Sequence, residues 1–228
     1  MTLQRFSAIA VPALALALGI AGSAHASDGD EISSVMGSIT VAAGEHRGDL
    51  STVNGSIRVG ESATVGHAHT VNGSISLEAH STAAAARTVN GSVHLEEGAQ
   101  VNGRVQTVNG SLSLAKGADV TGALTNVNGS IRVNAAHVGG DVETNNGSIE
   151  IGPDARVDGG VIVRKDHSDH GDENESRHPP RVIIGPGSVV TGPLKFERTV
   201  ELYVSDRATI GSVEGATAIR FSGDHPPR

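Results

Sequence analysis

From residue 35 onward, apolar side chains recur at two nested spacings. A five-residue unit of the form Val-Asn-Gly-Ser-Ile starts at Val53, Val71, Val89, Val108 and Val127. Looser copies start at Val35 and Asn145, so the starts fall 18, 18, 18, 19, 19 and 18 residues apart. Inside this interval lies a finer beat: Val53, Val59, Val65, Val71, Leu77, Ala83, Val89, Leu95 and Val101 are each six residues apart. A fixed repeat of this length marks a solenoid, because one coil alone cannot bury its apolar face and neighbours must stack to form a core. Three beats per coil predict three short sides. Their corners would fall at Asn54-Gly55-Ser56, at Gly60-Glu61-Ser62 and at Gly66-His67-Ala68, with Asn and Gly supplying the positive φ of sharp turns. Frequent Gly and stiff Val, Ile and Thr disfavour helices.

The side after each Asn-Gly-Ser alternates cleanly. Ile39, Ile57, Ile75, Val93, Leu112, Ile131 and Ile149 form one inward ladder, and Val41, Val59, Leu77, Leu95, Leu114, Val133 and Ile151 form another. Thr40, Arg58, Ser76, His94, Ser113, Arg132 and Glu150 lie between them and point outward. For the side before Asn-Gly-Ser two registers compete. The six-residue beat places Val53, Val71, Val89, Val108 and Val127 inside. Alternation from Leu50, Ala68, Ala86, Val105, Leu124 and Val142 instead places Thr52, Thr70, Thr88, Thr107, Asn126 and Thr144 inside. Asn145 takes the Val place in the last copy, which favours the second register and leaves an outward apolar stripe suited to lateral contact.

Beyond Ile151 the signature fades but the beat returns in Ile184, Val190, Phe196, Leu202 and Ala208. Between the two stretches, Lys165 to Pro180 is a charged, His-rich excursion. The reading is therefore an all-β, single-domain, three-sided parallel β-helix of about 18 residues per coil. Its organisation is a signal peptide at 1–26, a short lead at 27–34, the solenoid at 35–219 with the inserted loop at about 165–180, and a tail at 220–228. The acidic start and Asp224-His225-Pro226-Pro227-Arg228 are candidate blocks for the two ends.

Composition adds two points. Only one Tyr and three Phe occur in 228 residues, so the core must be aliphatic ladders. Arg5, the apolar run Ala8 to Ala21 and Ala24-His25-Ala26 before Ser27 have the form of a secretory leader. The run is too short to span a membrane, so no transmembrane segment is expected after its removal. Of 17 Lys plus Arg, the loss of Arg5 leaves 16 against 25 Asp plus Glu, a formal −9 that opposes nucleic-acid binding. There is no Cys to form disulfides or carry a lipid.

Candidate chemistry is sparse. Asn54, Asn72, Asn90, Asn109, Asn128 and Asn146 sit in formal glycosylation sequons, but their register predicts a corner ladder of stacked amides. His46, His67, His69, His80, His94 and His137 take different places in their coils, and a zinc site needs converging ligands. His167, His170 and His178 in the excursion are the weak metal candidates; otherwise no metal, cofactor or catalytic residue is assigned. Asp119, Asp141, Glu143, Asp154 and Asp158 are scattered in register, against a lyase-type carboxylate cluster. The Thr file raises ice binding, which requires outward hydroxyl arrays.

The Thr-Val-Asn-Gly-Ser-Ile-x-Val coils resemble a bacterial adhesin-type β-strand-repeat family, and Val-x-Gly elements such as Val120-Thr121-Gly122-Ala123-Leu124 resemble bactofilins, the polymer-forming cytoskeletal proteins. The likeness covers about Ser33 to Ile219. It implies a right-handed three-sided β-helix able to join end to end, and no catalytic residues; the export signal departs from the cytoplasmic bactofilin pattern. The expectation is an exported, non-enzymatic, structural or adhesin-like protein of the bacterial cell envelope, periplasmic, surface-bound or secreted. Homotypic end-to-end or lateral association is the expected partnership. The alternative is a module binding envelope polysaccharide, with a hexapeptide-type enzyme or an ice-binding protein behind it.

Overall fold

The computed structural model describes residues 30–165 and 179–227. The leader and most of the excursion, including His167, His170 and His178, lie outside the described residues. Among those described, every element is a β-strand, and the strands pair in parallel, one coil against the next, as in Ile57–Val59 on Ile75–Leu77. The chain is a β-solenoid of ten coils, counted on a ten-stranded sheet that runs from Ile39–Val41 to Ala218–Phe221. A sixteen-stranded sheet wraps the other two sides.

That second sheet is continuous because two nine-residue strands, Thr64–Asn72 and Thr82–Asn90, bend through the third corner without a break. In the following coils the corner opens at Asn102-Gly103, Thr121-Gly122 and Gly139-Gly140, and each side keeps its own short strand. The expected corner at Gly66-His67-Ala68 is thus shifted: Ala68 is buried on the next side and pairs with Leu50.

Burial settles the competing registers. Thr52, Thr70, Thr88, Thr107, Asn126 and Thr144 are 0–1% exposed, whereas the adjacent Val53, Val71, Val89, Val108 and Val127 are only partly covered. The six-residue beat fails on this side because pleat alternation from Leu50 controls which residues face in. The Ile and Val ladders of the first side are buried throughout, from Ile39 and Val41 to Ile149 and Ile151. The second side is lined by small pairs, Ala63 with Val65, Ala99 with Val101 and Ala118 with Val120, which keeps the coil narrow. Rings enter the core only near the C-terminal end, at Phe196 and Phe221.

Corner chemistry follows expectation in part. None of the ladder asparagines has positive φ, but the corner glycines Gly37, Gly110 and Gly129 do, at 116°, 157° and 130°. A second positive-φ position lies in the turn after the first side, where a corner was expected at Gly60-Glu61-Ser62: Gly44, Ser62, His80, Gly98, Gly117, Ala135, Asp154 and Gly187 have φ between 45° and 73°. The repeat glycine is needed for close approach: a Cβ on Gly73 would stand 2.0 Å from the Gly55 carbonyl oxygen, and one on Gly91 2.0 Å from that of Gly73. Successive coils therefore meet backbone to backbone at this corner.

Among the described residues, both ends carry strands paired on one side only. Ile32–Met36 and Ile39–Val41 begin the sheets, and Thr209–Ile210, Val213–Glu214 and Ala218–Phe221 end them. The tail does not lie across the C-terminal end. It folds back along the outside, where Arg207 Nη2 meets Asp224 Oδ1 at 2.9 Å and Arg181 Nη2 donates to the Pro227 carbonyl at 2.9 Å.

Candidate functional site

The repeat builds one continuous feature along the rod. At the Asn-Gly-Ser corner each asparagine Nδ2 donates to the Oδ1 of the asparagine one coil earlier: Asn72 to Asn54 at 2.9 Å, Asn90 to Asn72 at 2.9 Å, Asn109 to Asn90 at 3.0 Å, Asn128 to Asn109 at 2.9 Å and Asn146 to Asn128 at 3.2 Å. The amide dipoles align along the axis, oxygen toward the C-terminal end. There Arg198 closes the file, its Nη1 donating to Asn146 Oδ1 at 2.5 Å. A glycan would attach to Nδ2, and from Asn72 to Asn146 that nitrogen is already a donor within the ladder, so the corner is built for stacking.

Behind the ladder runs a second file of bonds. Thr70, Thr88 and Thr107 donate through Oγ1 to the carbonyls of Gly55, Gly73 and Gly91, each at 2.8 Å, and Asn126 Nδ2 reaches Gly110 O at 2.6 Å. A buried carbonyl needs such a partner. The serines complete the corner, Ser74 N–H donating to Ser56 Oγ and Ser92 N–H to Ser74 Oγ, both at 3.2 Å. Each residue of Thr-Val-Asn-Gly-Ser-Ile thus has a distinct job, except that Val does little for the fold. Because the Thr file is buried and its hydroxyls face inward, it forms no outward array for ice.

The Val positions give the outer surface its one regular apolar feature. Val35 is 66% exposed, and Val53, Val71, Val89, Val108 and Val127 continue the stripe half-buried beside the ladder. At the next coils the column turns polar, with Asn145, Arg164 and Glu197. Arg164 ion-pairs with Glu143 and lies 3.8 Å from Glu197.

The histidines are dispersed. His67 pairs with Asp49, whose carboxyl is held below its ordinary value chiefly by the His67 backbone N–H, with the ring adding to the effect. His69 lies on the outer face beside Arg87, and burial first, then that cation, pushes its pKa down. His80 occupies a left-handed turn, and His94 faces outward on the first side. Among the described residues His137 makes the one His-centred cluster: Nδ1 meets Asp119 Oδ1 at 2.5 Å and Nε2 meets Asp158 Oδ2 at 2.9 Å, which raises its pKa, Asp158 contributing most. The carboxylates flank the ring from opposite sides and do not converge on one point. Among the described residues no group of His, Asp and Glu is arranged to hold a metal ion.

The remaining carboxylates are placed singly. Asp141 Oδ1 accepts from Gly160 N–H at 2.7 Å, Glu143 engages Arg164, and Asp154 sits in a left-handed turn. One cleft of about 340 Å³ lies under the folded-back tail, lined among others by Glu150, Arg181, Asp224 and His225. Arg181 is stacked on Tyr203 at 4.4 Å. Sequence reasoning missed the Arg198 cap and the Asp119–His137 contact. The second was recoverable, since these residues lie 18 apart, one coil in register.

No family model matches this chain, and neither a curated protein nor a solved structure does. The class its fold defines is a parallel β-solenoid with a repeat-built surface.

Proposed function

We propose that this is an exported, non-enzymatic structural protein of the bacterial cell envelope that works through its extended surface and through self-association, in the manner of an adhesin or a polymer-forming scaffold. The observation that carries the reading is that, among the described residues, the outermost strands at both ends pair on one side only. Unpaired strand edges template the addition of further strands, and both ends of this solenoid present them in matching parallel sense. Head-to-tail contacts of this kind do not close and so propagate into fibres. The valine stripe adds a lateral surface: six side chains over about 24 Å, at roughly 4.8 Å per coil, flanked by polar amides. Its area is modest, so lateral contacts would be weak singly and gain strength only along a filament. Export rests on the leader-like 1–26, and a non-enzymatic role rests on side chains spent on holding coils together.

The test is concentration-dependent light scattering of the chain from Ser27 onward, paired with deletion of residues 165–180. Reversible growth that survives the deletion supports assembly. A protein that stays monomeric, yet binds envelope polysaccharide only when that segment is present, would move the reading to a glycan-binding module.

A further inference from the structure

The ladder bears on a reaction that needs no enzyme. Asn-Gly sequences age spontaneously: the Gly amide nitrogen, after losing its proton to solvent, attacks the Asn Cγ, and the side-chain nitrogen leaves as ammonia. Water then opens the resulting succinimide at either carbonyl, giving aspartate or a β-linked isoaspartate. Net, one water is consumed and one ammonia released. Glycine at the second position speeds this most because it carries no side chain to hinder the attack. This chain has seven Asn-Gly pairs among its described residues, six in the ladder and one at Asn102-Gly103.

Asn102 and a mid-ladder asparagine such as Asn90 differ at every atom involved. In mid-ladder, Asn90 has Nδ2 bonded to Asn72 and Oδ1 bonded by Asn109, and the Gly91 N–H is held by the Asn109 carbonyl at 2.9 Å. Leaving group, electrophile and nucleophile are all fixed. Asn102 stands in the third corner, where the strand ladder is interrupted, and its side chain is exposed. Among the described residues neither its side-chain amide nor the Gly103 N–H has a hydrogen-bond partner, although the Asn102 backbone N–H donates to the Ala83 carbonyl at 3.0 Å. Gly103 itself is required there, since a Cβ would stand 2.6 Å from the Ala84 carbonyl oxygen.

We infer that Asn102 is a site of spontaneous deamidation and isoaspartate formation, and that the ladder protects Asn72, Asn90 and Asn109, whose side-chain amides and following glycine N–H groups are all bonded. Either product adds an anionic group, and isoaspartate also lengthens the backbone, at the corner between Gln100–Val101 and Val105–Asn109. It leaves the Asn-Gly-Ser corner intact. This inference is independent of the assembly reading.

The experiment is a time course of the folded protein in mildly alkaline buffer, followed by tryptic digestion and fragment-ion mass spectrometry. Cleavage at Arg87 and Arg104 places Asn90 and Asn102 on one peptide, so each serves as the other's reference. Asn102 should convert at least about tenfold faster than Asn90, as expected when several hydrogen bonds must open before attack. In denaturant the two rates should come together. Asn72→Ala, which removes the acceptor of Asn90 Nδ2, should raise the Asn90 rate and leave that of Asn102 unchanged. Equal rates in the folded protein, or an Asn90 rate indifferent to Asn72→Ala, would overturn the inference.

Discussion

At the scale of single residues, the repeat is a set of unlike solutions to one packing problem. Thr88 and Thr144 occupy equivalent buried places, yet Thr88 Oγ1 bonds the Gly73 carbonyl and Thr144 Oγ1 has no partner. Thr88→Val should therefore lower stability by about 1–3 kcal/mol, the cost of orphaning a buried polar group, while Thr144→Val should be neutral or stabilising. Denaturant melts of the two variants check the contrast. Gly91→Ala should cost about 1–3 kcal/mol or more, because the new methyl meets backbone that cannot yield. This scale was the least legible in the sequence. That glycine recurs at each corner was visible, but the repeat could not tell close approach from positive φ: Gly73 and Gly91 meet the first alone, and Gly110 and Gly129 meet both. Nor could periodicity place Val53, since the six-residue beat and the two-residue pleat agree on one side of the coil and disagree on the next.

At the scale of elements, the strands of one column are tied by side-chain files as well as by sheet bonds. The His137 contacts are such a tie, across coils on the second side. The ring's pKa is raised by its carboxylate partners, so its contribution is fully present below the ordinary histidine value of 6.5 and is lost as pH rises through the higher folded value. Asp158, held low by the same contact, must remain ionised, which sets the acid limit. His137→Ala should therefore destabilise more near pH 6 than near pH 9. Solvent screening of these exposed groups keeps the difference small. A pH series of melting curves reads it, and an equal deficit at both pH values would contradict the pairing. The first-side strands and the stacking asparagines were legible, because alternation of Ile57, Arg58 and Val59 leaves one register. The Arg198 cap was not, since it reaches back 52 residues across the coil that carries the excursion.

At the scale of the whole molecule, ten coils at roughly 4.8 Å each make a rod of about 45 Å. Its architecture was readable from spacing alone, because stacking converts an 18-residue period directly into neighbours. The state of its ends was not: the tail's proline and charges suggested a plug, but Asp224 and Pro227 find Arg207 and Arg181 on the outer wall. What remains uncovered there is the basis for the assembly reading, and the stripe beside the ladder is its lateral element. Val71→Lys with Val89→Lys should leave the melting transition nearly unchanged, these being outward positions, and should reduce bundling of any filaments seen by microscopy.

The most direct test of self-association is electron microscopy of the chain from Ser27, prepared over a wide range of concentrations and salts. The account predicts filaments one solenoid wide that lengthen with concentration. Isolated rods of about 45 Å under every condition, at roughly 4.8 Å per coil, would contradict it.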